Sequence, residues 1–219
     1  MSTLVYCITE AGRGMVVPQF GIDNLPLQTV ECDGLQCIAS DVPGDRVPAL
    51  SSKDSVLVFH RVLQELFAQG AIIPFRFPTL IEDEAQLGAF LHEHAAEYHD
   101  SLKRLRDMVQ MEIRLSHMLK DNSSPREQRT GADYLRGKQK QETALRRAAD
   151  QIRSAAETTV QEWQERGSAE TKRLFALIPR SAVDLFRTKL AGVVIEPEVK
   201  ARASGPWPAT EFLRNDVQV

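Results

Sequence analysis

The feature that most constrains this chain is the way its apolar residues change period along the sequence. Leu4–Ile8 reads as a strand with Tyr6 on one face, and a loop rich in Gly and Pro follows. Leu27–Cys32 and Leu35–Ser40 then flank Asp33-Gly34. An Asp-Gly pair between two apolar runs is a strong hairpin signal, because both turn residues must take positive φ. The period next becomes helical at Val56, Phe59, Leu63, Leu66 and Phe67, with Ser52 or Asp54 as the cap and Gly70 as the stop. Ile72–Phe77 reads as another strand. Glu82–Leu105 reads as a second helix, with Leu87, Phe90, Leu91, Ala95, Tyr98 and Leu102 on one broad face.

A second unit opens with the alternating run Val109, Met111, Ile113 and Leu115. After a polar stretch from Lys120 to Gly131, read as mobile, a helical pattern runs from Ala132 to about Glu165. Leu174–Ile178 reads as a strand, Ser181–Leu190 as a short helix and Ile195–Ala203 as a last strand. Strands and helices alternate without one long parallel series. The expectation is an α+β protein of two small domains, residues 1–105 and 106–219, each with helices on one face of a small sheet. The first sheet is expected to be mixed, and the second domain to carry the long helix.

Composition bounds the function. At 219 residues, 42% hydrophobic and 26% charged, the chain can bury a real core. A net charge of −3 provides no global field for nucleic acid or anionic lipid. No apolar run approaches the roughly 20 residues of a membrane-spanning helix, and the first residues lack the pattern of a signal peptide. The expectation is a cytoplasmic protein with neither membrane nor nucleic acid as partner. Cys7, Cys32 and Cys37 are odd in number and have no C-x-x-C spacing. A two-residue turn would put Cys32 opposite Leu35 and Cys37 opposite Val30, so they read as buried free thiols.

Several motifs approach known chemistry and miss it. Gly12-Arg13-Gly14 begins a dinucleotide fingerprint, but Val17 takes the third glycine position and Pro18 follows. Gly131 to Lys138 resembles a P-loop that is one residue too long, with Gln139 where a Ser or Thr belongs. In His92-Glu93-His94-Ala95-Ala96, a metalloprotease helix would need histidine at position 96. His92 and His94 face nearly opposite sides, whereas His92 and His99 align two turns apart. These histidines read as a solvated face. No nucleophile pairs with a base in a recognisable local pattern. The basic clusters at Lys103–Arg106 and Arg136–Arg147 lack interleaved aromatics. The expectation is a protein that works by binding other proteins, with no catalytic, cofactor-binding or metal-ligating residues and no cofactor.

Three segments carry a family resemblance. Pro74-Phe75-Arg76-Phe77 is followed by Thr79, Gly131 to Lys138 opens the long helix, and Gly205-Pro206-Trp207-Pro208 is followed by Phe212. In this order and spacing, with the Tyr6 strand, Met111–Arg114 and Leu174–Pro179, they resemble the gas vesicle protein F/L family (GvpF/GvpL). Pro78 stands where that family usually has glycine, and Ala209-Thr210-Glu211 replaces its usual Pro-Tyr-Ser. The resemblance implies a modified ferredoxin-like second domain and a non-enzymatic role in gas vesicle assembly. It also implies contact with the small shell protein and other accessory proteins, and association with the vesicle. The shell subunit is very hydrophobic, so keeping it from aggregating is a task such a protein could perform. The rival readings are an enzyme or nucleotide-binding protein without a recognisable motif, and a scaffold dimerising through the long helix.

Three residues are expected to touch partners: Arg76, Trp207 and Phe212. Alternation places Phe75 and Phe77 together beneath the first helix, with Arg76 opposite, solvated or paired. Leu145, Ala149, Ile152, Ala156, Val160 and Trp163 form a heptad-like stripe for packing on the second sheet or for a second copy. Trp207 lies between two prolines on an extended stretch after the last strand. It either pins the tail or, with Phe212, presents an exposed apolar contact.

Overall fold

The computed structural model describes residues 1–118, 131–168 and 170–213, without the side chains of Ala49 and residues 131–134. Contacts divide the chain into two compact units, Met1–Asp107 with the segment from Pro208, and Met108–Trp207. Each contains a four-stranded antiparallel sheet. The α+β class and two-unit layout follow the sequence reading. The tail from Pro208 groups with the first unit rather than the second.

The first unit runs β1 (Ser2–Glu10), β2 (Gln28–Cys32), β3 (Leu35–Val42), α1 (Lys53–Gln69), β4 (Ile73–Ile81) and α2 (Glu84–Leu105), with sheet order β2-β3-β1-β4. The hairpin forms as its turn residues dictate: Asp33 and Gly34 have φ of 48° and 75°, and Cys32 pairs with Leu35. Ser52 caps α1, its Oγ accepting the Ser55 N–H at 3.0 Å. Asp83 caps α2, accepting the Gln86 N–H at 2.8 Å.

All pairings are antiparallel, so the expected mixed sheet is corrected. The helices also cover both faces rather than one. Val5, Ile8, Cys37 and Ile73 form a core with Leu87, Leu91, Tyr98 and Leu102 of α2. On the other face, Tyr6 stacks on Phe59 of α1, with ring centroids 4.8 Å apart. The β1 register shifts between Val5 and Cys7 against both neighbours. This irregularity re-aims the side chains, and a bulge is the usual means of doing so.

The larger irregularity is in β4. Val5 faces Thr79 while Cys7 faces Pro74, so the segment between Pro74 and Thr79 is longer than its partner. The extra length breaks the alternation that would have put both phenylalanines beneath α1. Phe75 packs with the α2 core, its ring 6.1 Å from Phe90, whereas Phe77 lies 4.9 Å from Phe59 of α1.

The second unit runs β5 (Met108–His117), α3 (Gly131–Ala156), β6 (Glu162–Gly167), β7 (Thr171–Pro179), α4 (Val183–Ala191) and β8 (Val199–Trp207), with sheet order β6-β7-β5-β8. This β-α-β-β-α-β succession is the ferredoxin-like arrangement. The polar stretch read as mobile lies, from Lys120 to Thr130, outside the described residues.

Two expected boundaries move. The long helix ends at Ala156, and Val160 and Trp163 of the expected stripe are not helical. Thr158, Thr159 and Val160 are β-branched, and the Thr159 hydroxyl donates to the Ala156 carbonyl at 2.7 Å. Leu145, Ala149, Ile152 and Ala156 are buried, so this stripe is covered rather than open to a coiled-coil partner. The last strand begins at Val199 rather than Ile195. Pro197 occupies a turn closed by the Val199 N–H on the Glu196 carbonyl at 2.9 Å.

Charge also ties the second unit together. Glu165 on β6 receives Arg153 of α3 at 2.5 Å and Lys172 of β7. Burial acts to raise the Glu165 pKa, but hydrogen bonds and charge from Lys172 and Arg153 outweigh it and hold the carboxyl below its ordinary value. A depressed carboxylate contributes stability above its unfolded pKa, which is lost as pH falls through the folded one. Glu165→Gln should therefore be less stable than the parent near neutrality. The difference should shrink below about pH 5 in urea denaturation across pH.

Tyr6 supplies a second test. Its hydroxyl accepts the buried Ile22 N–H at 3.1 Å, and Gly21 is small because a Cβ there would collide with that hydroxyl. Tyr6→Phe leaves the Ile22 N–H without its acceptor and should cost about 1–3 kcal/mol in urea denaturation.

Candidate functional site

The three expected contact residues are divided between the two units. Arg76 is exposed on β4, and its guanidinium makes no ion pair with a described residue. Trp207 ends β8 in the second unit and is half-buried, its Nε1 donating to Ser204 Oγ at 3.4 Å. Phe212 is 1% exposed and belongs to the first unit, where its carbonyl accepts a hydrogen bond from Arg104. Phe212 therefore cannot form an exposed apolar contact. It anchors the tail.

The Gly205-Pro206-Trp207 segment lies inside β8 rather than after it. Glu112 faces Ser204 while Gln110 faces Trp207, so β8 carries an extra residue between them. Gly205 has φ of 116°, and a Cβ there would sit 2.8 Å from the Gln110 carbonyl oxygen and 3.0 Å from Met111 Sδ. Only glycine fits that close approach. The Gly205 carbonyl is held from α4 by Arg187 Nη2, which donates at 2.9 Å.

Beside this bulge is an apolar groove of about 250 Å³ that the sequence reading did not identify. Its floor is Ile113, Ala201 and Ala203 of the sheet, and its walls include Ile152, Leu190 and Ile195. The groove exists because β8 contributes only methyl groups on that face. The visible signal was the alternation Lys200, Ala201, Arg202, Ala203, followed across the chain from Val193-Val194-Ile195. Val194, on the loop that supplies one wall, is 85% exposed, and Leu185 on α4 is 53% exposed.

The histidine-rich face of α2 is not simply solvated. His92 Nδ1 lies 2.5 Å from Asp33 Oδ2 at the tip of the β2–β3 hairpin, and His99 Nε2 lies 2.7 Å from the Asp33 carbonyl. Their two-turn spacing brings both to one turn residue. His94 instead meets Glu97 at 3.2 Å. The hydrogen bond from His92 holds the Asp33 carboxyl below its ordinary pKa, while burial and the Asp33 charge push the Cys32 thiol up. Cys7 and Cys37 are buried and Cys32 only partly so; all three are free.

The second unit thus carries an open apolar groove beside a glycine-dependent bulge, on an antiparallel α+β scaffold. The chain belongs to the family described as Gas vesicle synthesis protein GvpL/GvpF, which it matches over residues 2–214. It is 30% identical over 120 residues to Gas vesicle protein F of Streptomyces sp. (strain CB03234), a match covering 53% of this chain and 49% of that protein. The chain thus spans about half the length of that curated relative. Its fold is that of two solved proteins. One is gas vesicle protein GvpF from Anabaena sp. PCC7120, with a TM-score of 0.79 and 14% identity over 100% of this chain and 98% of that one. The other is GvpF from Microcystis aeruginosa, with a TM-score of 0.76 and 16% identity over 97% and 99%.

The bulge yields a direct test. Gly205→Ala forces a methyl against the Gln110 carbonyl at a φ that other residues avoid. It should destabilise the protein by about 1–3 kcal/mol, read as a lowered urea midpoint.

Proposed function

We propose that this protein is an accessory factor in gas vesicle formation that binds the small shell subunit and other accessory proteins in the cytoplasm, at or near the growing vesicle. The observation that carries this reading is the family match over almost the entire chain. The groove of the second unit supports it, because its apolar lining suits a segment of a hydrophobic subunit that needs shielding from water. Val194, between the lining residues Val193 and Ile195, adds an exposed apolar side chain beside the groove. Trp207 and Arg76 are the further contacts we assign to partners, the first as a half-buried aromatic and the second as an exposed cation.

Deleting the gene in its host should abolish intact vesicles while leaving growth unaffected. Normal vesicles in the deletion strain would reject the role. Co-expression with the shell subunit tests the surface. Val194→Asp replaces an exposed side chain and should change stability by no more than about 0.5 kcal/mol. It should nevertheless reduce capture of the subunit at least tenfold in a pull-down. Capture that survives this change would remove the groove from the proposal without touching the role.

A further inference from the structure

The tip of the β2–β3 hairpin, where it meets α2, brings together three side chains of different ligand chemistry. Cys32 Sγ, Asp33 Oδ2 and His92 Nδ1 all lie within 4.8 Å of one another. Within that set, His92 Nδ1 is 2.5 Å and Cys32 Sγ is 3.7 Å from Asp33 Oδ2. Zinc bonds of roughly 2.0–2.3 Å at tetrahedral angles separate donor atoms by about 3.3–3.8 Å, which small rotations of these side chains can reach. The geometry points to a divalent transition-metal site, of the zinc type, formed by Cys32, Asp33 and His92 with water in the remaining position.

The donor set decides the metal class. Thiolate with imidazole selects zinc, cobalt and similar ions, whereas magnesium and calcium require oxygen donors throughout. The backbone is arranged to hold the set. Cys32 and Asp33 are adjacent at a two-residue turn whose register is fixed by the Cys32–Leu35 pair. His99 Nε2 binds the Asp33 carbonyl at 2.7 Å, which fixes the turn against α2 from behind. Such support around ligands is characteristic of built metal sites. A bound ion would cross-link the hairpin to α2 more firmly than the exposed His92–Asp33 pair, which contributes little by itself, and the His99 hydrogen bond to the Asp33 carbonyl. This inference does not depend on the proposed function.

Untagged full-length protein, stripped of metal, should bind one zinc ion per chain by isothermal titration calorimetry. Cobalt at the same site should give a thiolate charge-transfer band. Cys32→Ser, His92→Gln and Asp33→Asn should each weaken zinc binding at least tenfold, and the cobalt band should vanish in Cys32→Ser. Asp33→Asn suits the positive φ of the turn, so its fold should be retained. His94→Gln should leave affinity unchanged. Zinc should also slow alkylation of Cys32, the half-buried thiol, in the native parent. The site is rejected if the folded parent binds no zinc, or if Cys32→Ser and His92→Gln bind it as tightly as the parent does.

Discussion

Strand β1 is buried along its whole apolar length, and the first unit is organised by the need to cover both its faces. A strand buried on one side needs one packing layer, whereas Leu4–Ile8 needs two. The helix α1 supplies one through Phe59, and α2 supplies the other through Leu87, Leu91 and Tyr98. The register shift between Val5 and Cys7 is part of this solution. Val5 and Ile8, three apart in sequence, both enter the α2 core while Tyr6 points to α1. The longer irregularity in β4 divides Phe75 and Phe77 between the same two layers.

The two units then show one sheet topology used in two ways. Each has the spatial order second-third-first-fourth. In the second unit the first crossover is the helix α3. In the first unit residues 11–27 make that crossover with only a short 3-10 turn at Ile22–Asn24, tied to the sheet by the Ile22 N–H on Tyr6. A split β-α-β pairing leaves room between its parallel strands for a third, and in both units that third strand is antiparallel to its neighbours. The first unit adds α2 on the opposite face.

What could be read from the sequence was local. The Asp33-Gly34 hairpin, the caps at Ser52 and the apolar face of α2 follow from short-range backbone chemistry, and all appear where their residues imply. What could not be read depended on residues far apart. No periodicity in β4 announces that its partner is shorter between Val5 and Cys7. The histidines were judged against a helix-only motif, so their shared target, Asp33, roughly 60 positions earlier in sequence, was out of view. The end of α3 failed for a different reason. Glu162–Gly167 has an unremarkable mixture of polar residues, and it becomes a strand because β7 offers a paired edge.

Phe212 and Gly205 change how the closing motif should be understood. An aromatic-rich ending invites a recognition role, yet its two most constrained residues are engaged inside the protein. Gly205 has no room for a side chain against β5, and Phe212 is buried. A motif can be specific because the backbone demands it, with no partner involved. Its effect on binding is then indirect. The bulge sets where β8 ends, Arg187 of α4 binds the Gly205 carbonyl, and that same arginine lies along the apolar groove. The guanidinium spends a hydrogen bond on the backbone beside the groove, which fixes one wall relative to the Ala201–Ala203 floor. The shape of that opening therefore depends on the bulge, although neither Gly205 nor Phe212 needs to touch what enters it.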